Sequence, residues 1–147
     1  MSKAKLFVYY FLQWTWGIIQ NIVGLIIRAY VLSKDPNKDS FKFFGAQVTE
    51  WNKGHGSMGM GMFIFYGHKG EKDEQEVLVH EYGHTLQSAV LGPFYLLVIG
   101  LPSIIWATRP KYKKLREEKG IRYVDFYPES WANSWGSKIT GLPAPDR

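Results

Sequence analysis

The chain contains no cysteine, which excludes disulfides and thiolate metal sites and leaves His, Glu and Asp as the side chains able to hold a metal ion. It has no internal repeat, and with 46% hydrophobic and 16% aromatic residues it lacks the composition of a disordered tail. No zinc-finger, helix-turn-helix or RNP-like signature accompanies the formal charge of +5, so nucleic acid is not an expected partner. Charge is missing altogether between Leu6 and Ile27. The 147 residues are enough for one domain and too few for two good cores, so the reading is of a single unit over residues 1–147.

The uncharged run reads LFVYYFLQWTWGIIQNIVGLIIRAYVL, has no proline, and predicts a transmembrane helix over residues 6–32. It is too long for the apolar region of a signal peptide, and no small-residue cleavage site follows. Gln13, Gln20 and Asn21 are expensive toward lipid and are expected to face protein. Gly17 and Gly24 leave room for a close neighbour. Arg109, Lys111, Lys113, Lys114, Arg116 and Lys119 follow a second apolar run, as a juxtamembrane anchor would. The lipid bilayer is therefore the expected partner. Two basic residues precede the first run and fifteen follow it, which favours a cytoplasmic face for everything after residue 32.

Residues 33–40 (SKDPNKDS) form a polar breaker. Residues 41–66 read as a β-hairpin whose arms flank NKGHG, because Met58, Met60, Met62, Ile64 and Tyr66 alternate with Gly59, Gly61, Phe63 and Phe65. An acidic stretch then opens a helix near Asp73, and the apolar segment continues through residues 73–108. Gly92-Pro93 and Gly100-Leu101-Pro102 interrupt it, so it either kinks or turns back. Residues 121–140 hold a short strand at 121–127 and a last helix opened by Pro128.

The chemistry lies in His80-Glu81-Tyr82-Gly83-His84, an HExxH motif. On a helix the four-residue spacing sets both imidazoles on one face, where they can share a zinc ion, and Glu81 can reach a water on that ion as general base. Val77, Leu78, Val79 and Leu86 surround the motif, and polar groups in such a neighbourhood need a reason to be there.

Zinc needs a third protein ligand and an open fourth position. The segment Glu129-Ser130-Trp131-Ala132-Asn133 resembles the glutamate helix of gluzincin metallopeptidases. That resemblance implies Glu129 as third ligand, and Asn133 takes the place of an Asp that supports a zinc-bound His. An amide can make the same hydrogen bond without the charge that raises ligand basicity. More widely, HEYGHTLQS, LGPFYLLVIGLPS, the MGMGMFIFYG segment and FYPESWANSWG resemble a family of small bacterial membrane proteins with a zincin motif, over about two thirds of the chain. The resemblance implies a minimal zincin core in a bacterial inner membrane, with substrate peptide paired along the edge formed by Met60, Gly61, Met62 and Phe63.

His55 and His68 are candidates to stabilise an oxyanion or to substitute as zinc ligands, against a plainer role as solvated loop histidines. Tyr123 could orient an oxyanion or simply pack. The sequence thus predicts an α+β membrane protein: an N-terminal transmembrane helix, a β-hairpin, the HExxH helix running into a kinked or re-entrant apolar hairpin, and a C-terminal glutamate helix. Its expected activity is zinc-dependent hydrolysis of a peptide or membrane-protein substrate near the bilayer. The rival reading is a non-catalytic membrane protein in which a structural zinc and an apolar surface recruit a partner.

Overall fold

In the computed structural model, which describes residues 1–52, 54 and 56–146, the first apolar run does not form one helix. It makes α1 (Lys3–Thr15) and α2 (Ile18–Lys34), set at 89° to each other. No single helix among the described residues is long and apolar enough to cross a membrane. The expected transmembrane helix over residues 6–32 is therefore corrected, and its own polar residues supply the reason. Asn21 donates its amide to the carbonyl of Gln13 at 2.6 Å, satisfying a group left open where α1 ends. The Asn21 oxygen accepts the Met62 backbone N–H at 2.7 Å. Gln13 donates to the Thr85 carbonyl at 2.8 Å, and Gln20 donates to that of Gly92. These amides hold the bend and fasten it to the rest of the molecule.

The single hairpin expected over residues 41–66 is also corrected. Two tight hairpins form instead, from β1 (Ser40–Phe43) with β2 (Ala46–Glu50) and from β3 (Met58–Met60) with β4 (Phe63–Tyr66). The sheet order is β1-β2-β4-β3, with β2 and β4 parallel. Gly61 makes the second turn at φ 61°, where a Cβ would stand 2.2 Å from the Asn21 oxygen, so the turn closes directly onto α2. Ala46, Val48, Ile64 and Tyr66 face Tyr9 of α1 and Leu78 and Tyr82 of the next helix, forming the core.

That helix, α3 (Glu74–Leu91), has Glu74 and Glu76 in its first turn, favourable to the positive end of its dipole. Past Leu91 the chain bends by 118°. A 3₁₀ turn (Gly92–Phe94) and a π turn (Leu96–Gly100) lead into α4 (Leu101–Thr108). Gly92 has φ 51°, and a Cβ there would lie 2.3 Å from the Trp16 indole, so only glycine lets this corner meet the α1–α2 corner. The basic segment is α5 (Pro110–Lys119). The strand expected at 121–127 is a 3₁₀ turn (Tyr123–Asp125), and Pro128 lies in the first turn of α6 (Tyr127–Thr140). The membrane architecture expected from the sequence is thus replaced by a compact α+β fold with, among the described residues, six α-helices and a four-stranded sheet.

Candidate metal centre

The centre exists because α3 and α6 cross backbone to backbone. A Cβ on Gly83 would lie 1.9 Å from the Ala132 carbonyl oxygen, and one on Gly136 would lie 2.2 Å from that of Val79. Any side chain at either glycine would push the helices apart. Their close approach sets Glu129, in the first turn of α6, against the α3 face that carries His80 and His84. All three are buried, and Glu129 is 0% exposed.

Two amides fix the imidazoles. Asn133 donates its NH₂ to the Pro145 carbonyl at 2.7 Å, which turns its oxygen toward His80 Nδ1 at 2.6 Å. Gln87 donates to the Pro128 carbonyl at 2.8 Å, which turns its oxygen toward His84 Nδ1 at 2.7 Å. An amide oxygen only accepts, so each Nδ1 carries the hydrogen and each neutral Nε2 presents a lone pair. Glu129 Oε2 lies 3.1 Å from His80 Nε2 and 3.4 Å from His84 Nε2, yet neither carboxylate oxygen has a hydrogen-bond partner. Three acceptor atoms, all within 4.8 Å of one another, therefore converge in a buried place. A cation at the centre would satisfy all three, and His80, His84 and Glu129 could hold a metal ion.

Without an ion the same charges act on each other. Burial disfavours a charged His80, but the Glu129 carboxylate beside its Nε2, which a proton there would bridge, and the charge of Glu81 outweigh it and raise its pKa to about 9. Burial would raise the Glu129 carboxyl, yet pairing with both histidines holds it far below the usual carboxylate range. Glu81, next along α3, is pushed up by burial despite the opposing pull of His80 and His84, and the Gly59 backbone N–H donates to it.

Beside the cluster runs a cleft of about 280 Å³, with His80, Glu81 and His84 on its floor, β3 on one wall and Gly100, Ser103 and Ala107 on the other. Strand β3 is at the edge of the sheet. It packs so tightly on α3 that a Cβ on Gly59 would stand 2.7 Å from the Glu81 carbonyl oxygen. The Tyr95 hydroxyl donates to the Gly59 carbonyl at 3.4 Å.

Tyr123 lines this cleft and a second hollow of about 370 Å³ on the other side of Glu81. Burial holds its phenol strongly toward the protonated form, so it can donate a hydrogen bond. His68 lies at the rim of the second hollow, with Nδ1 2.9 Å from Ser57 Oγ, and does not join the metal cluster. His55 lies outside the described residues. Of the residues named as substrate edge, Met60 is on β3 beside the cleft. Gly61 and Met62 make the turn against Asn21, and Phe63 is buried on the inner strand β4. The edge beside the cluster is therefore Met58, Gly59 and Met60.

Sequence reasoning missed Gln87 as the support of His84, and it missed the small residues that let the elements approach. A signal for the latter was present: Ala132 and Gly136 are one helical turn apart on α6, opposite a glycine inside the HExxH motif. Comparison of the chain with protein-family models, with curated proteins and with solved structures returns no match.

Proposed function

We propose that this centre binds zinc and hydrolyses a peptide bond in an extended chain lying along β3. The observation that carries the reading is the convergence of two Nε2 lone pairs and a carboxylate, with no donor among them, beside a buried glutamate at the floor of a cleft. Ligand atoms about 2.0–2.1 Å from a tetrahedral zinc stand roughly 3.3–3.4 Å apart, which agrees with the 3.1 and 3.4 Å between Glu129 Oε2 and the two imidazoles. Cysteine-free N₂O ligation also suits zinc.

Zinc held by His80, His84 and Glu129 would supply a water of lowered pKa and a Lewis acid for a carbonyl oxygen. The protein does the rest. Glu81 takes the proton of the attacking water and returns it to the departing amide nitrogen, and burial, which raises its carboxyl, brings its proton affinity closer to that task. The Tyr123 hydroxyl donates to the carbonyl oxygen as negative charge develops there. The free edge of β3 pairs with the substrate backbone and holds the scissile bond over Glu81. A structural zinc would be closed by four protein ligands. Among the described residues the cluster has three, and His68 is held by Ser57.

The test is metal content together with hydrolysis of an internally quenched peptide library. Wild type is expected to carry one zinc per chain, and Glu81→Gln is expected to keep it while losing about 10²–10⁴-fold in rate. Hydrolysis that survives Glu81→Gln removes Glu81 from its role, and wild-type protein without zinc overturns the reading.

A further inference from the structure

The outer sides of α1, α2, the π turn and α4 carry an unusual density of large apolar side chains. Phe7 is 71% exposed, Ile26 62% and Leu97 68%. Some water-facing patches on folded monomers reach roughly 300–600 Å². Here large apolar side chains stand exposed on four elements, Phe7 and Phe11 on α1, Ile22 and Ile26 on α2, Leu97 on the π turn and Ile104 on α4.

They also form one surface. The Trp16 indole donates to the Val90 carbonyl at 3.1 Å and Gln20 donates to that of Gly92, which joins the α1–α2 corner to the end of α3. Both apolar lengths turn at this junction, by 89° and by 118°. An apolar groove of about 450 Å³ between α1, α3 and α6 continues the surface past Val8 and Val90.

Charge selects the occupant. No Asp or Glu occurs from Met1 to Lys34 or from Tyr82 to Arg116, so the stretches that build this face contribute only cations. Lys3 and Lys5 open α1, Lys34 closes α2, and Lys111, Lys113 and Lys114 follow α4, all exposed. A second copy seated on the same face would bring these cations against their own images. Anionic headgroups would neutralise them, while Trp14, Trp16 and Tyr30, all exposed, suit the boundary between headgroup and acyl chain.

We infer that this face docks on an anionic lipid surface, with the apolar side chains of α1, α2, the π turn and α4 lying in the boundary layer and α5 against the headgroups. Because α4 also walls the cleft, the cleft opens at that boundary. Docking itself is independent of the hydrolytic reading.

Flotation of the full chain with vesicles tests it, using phosphatidylcholine alone and an equal mixture with phosphatidylglycerol. The protein is expected to float with the mixture and far less with phosphatidylcholine, and its tryptophan emission is expected to shift to the blue on binding. Phe7→Glu, Ile26→Glu and Leu97→Glu lie on three different elements, and none of the three residues lines the cleft. Each is expected to weaken partitioning about tenfold or more with unchanged circular dichroism and zinc content. Lys113→Glu with Lys114→Glu is expected to remove the preference for the anionic mixture.

Wild-type protein that stays unbound and unshifted with both vesicles overturns the inference. So does equal binding by wild type and all three apolar-face variants. Concentration-dependent self-association that Leu97→Glu abolishes, without vesicle binding, would assign the face to a second copy instead. None of these readouts requires turnover, so failure of docking and failure of the hydrolytic reading are distinguishable.

Discussion

At the α3–α6 crossing the molecule buries what proteins ordinarily keep wet, two imidazoles and two carboxylates, and gives both imidazoles directed hydrogen bonds. At the joined corners of α1–α2 and of α3–α4 it exposes what proteins ordinarily keep dry, among them Phe94 and Leu97. The two regions share one helix: α3 carries the HExxH motif in its middle and Val90 near its end. In each, the departure from the usual partition of polar and apolar groups is what the proposed ligand would relieve, a cation in one and an apolar phase in the other. The supports follow the same division. Buried amides hold the centre through Asn133 and Gln87, and buried amides hold the corner through Gln13, Gln20 and Asn21.

The largest expected effect separates these regions outright. His84→Ala and Glu129→Ala are each expected to lower metal content from one per chain to none. Thermal stability should fall by the linkage term, about 4 kcal/mol at a free metal concentration 1,000 times Kd. Vesicle flotation should be unchanged in both. Zinc analysis, scanning calorimetry and flotation on the same preparations check this. Loss of flotation with the metal would show that the two ends do not act separately.

Next in size is a test of close approach. Gly83→Ala puts a Cβ 1.9 Å from a backbone oxygen, whereas Gly100→Ala meets its nearest neighbour, a Leu96 methyl, at 3.6 Å. Chemical denaturation is expected to show Gly83→Ala destabilised by roughly 1–3 kcal/mol with weakened metal binding. Gly100→Ala should be neutral or slightly stabilised, because alanine is the better helix former. Equal costs at both would mean that the α3–α6 crossing can relax and does not define the centre.

The same contrast governs what the sequence discloses. The HExxH spacing names two of the three side chains that the fold brings together, because helix periodicity is local, and the third, Glu129, was legible only through the resemblance of its segment to a glutamate helix. Asn133 was legible for the same reason. The inward turn of Gln13, Gln20 and Asn21 followed from the cost of a bare amide in an apolar run. What they turn toward did not: their partners lie up to 72 residues away in sequence, and such pairings decide whether the run over residues 6–32 makes one helix or two. Likewise the parallel β2–β4 pair is invisible to alternation, which identifies strands but not their neighbours. Alternation put Gly61 in a strand where it makes the turn, and at Gly59, Gly83 and Gly136 glycine answers to a backbone from elsewhere.

Acidity provides a third contrast, between metal-free and metal-loaded protein. Metal-free, the pKa of His80 is raised from 6.5 to about 9. Its contribution to stability is therefore fully present below 6.5 and is lost as pH rises through about 9. Glu129 is lowered from 4.5, so its contribution is present above that value and is lost as pH falls. Metal-loaded, the imidazoles must be unprotonated, so the ion's contribution grows with pH. Between about 6.5 and 9 the melting temperature is expected to fall with pH after chelation and to rise or hold when zinc is saturating. Parallel trends would show that His80 and the ion do not compete for one position.

The smallest expected effect concerns Asn133 alone. Asn133→Asp replaces a neutral acceptor at His80 Nδ1 with a charged one, which makes Nε2 a better donor to a metal ion. The same change deletes the amide N–H that Pro145 accepts and points a carboxylate oxygen at that carbonyl. Supporting residues of this kind alter metal affinity about 10–100-fold when removed, so Asn133→Ala and Gln87→Ala should each lose affinity on that scale, whereas Asn133→Asp, gaining charge and losing one tie, should gain only a few-fold. Competition with a zinc-binding dye measures all three. Proteolysis of the segment after Gly141 should be faster in Asn133→Asp and unchanged in Gln87→Ala, because only Asn133 holds Pro145. An affinity loss in Asn133→Asp as large as that in Asn133→Ala would mean that the tie to Pro145, rather than basicity at His80, is what Asn133 contributes.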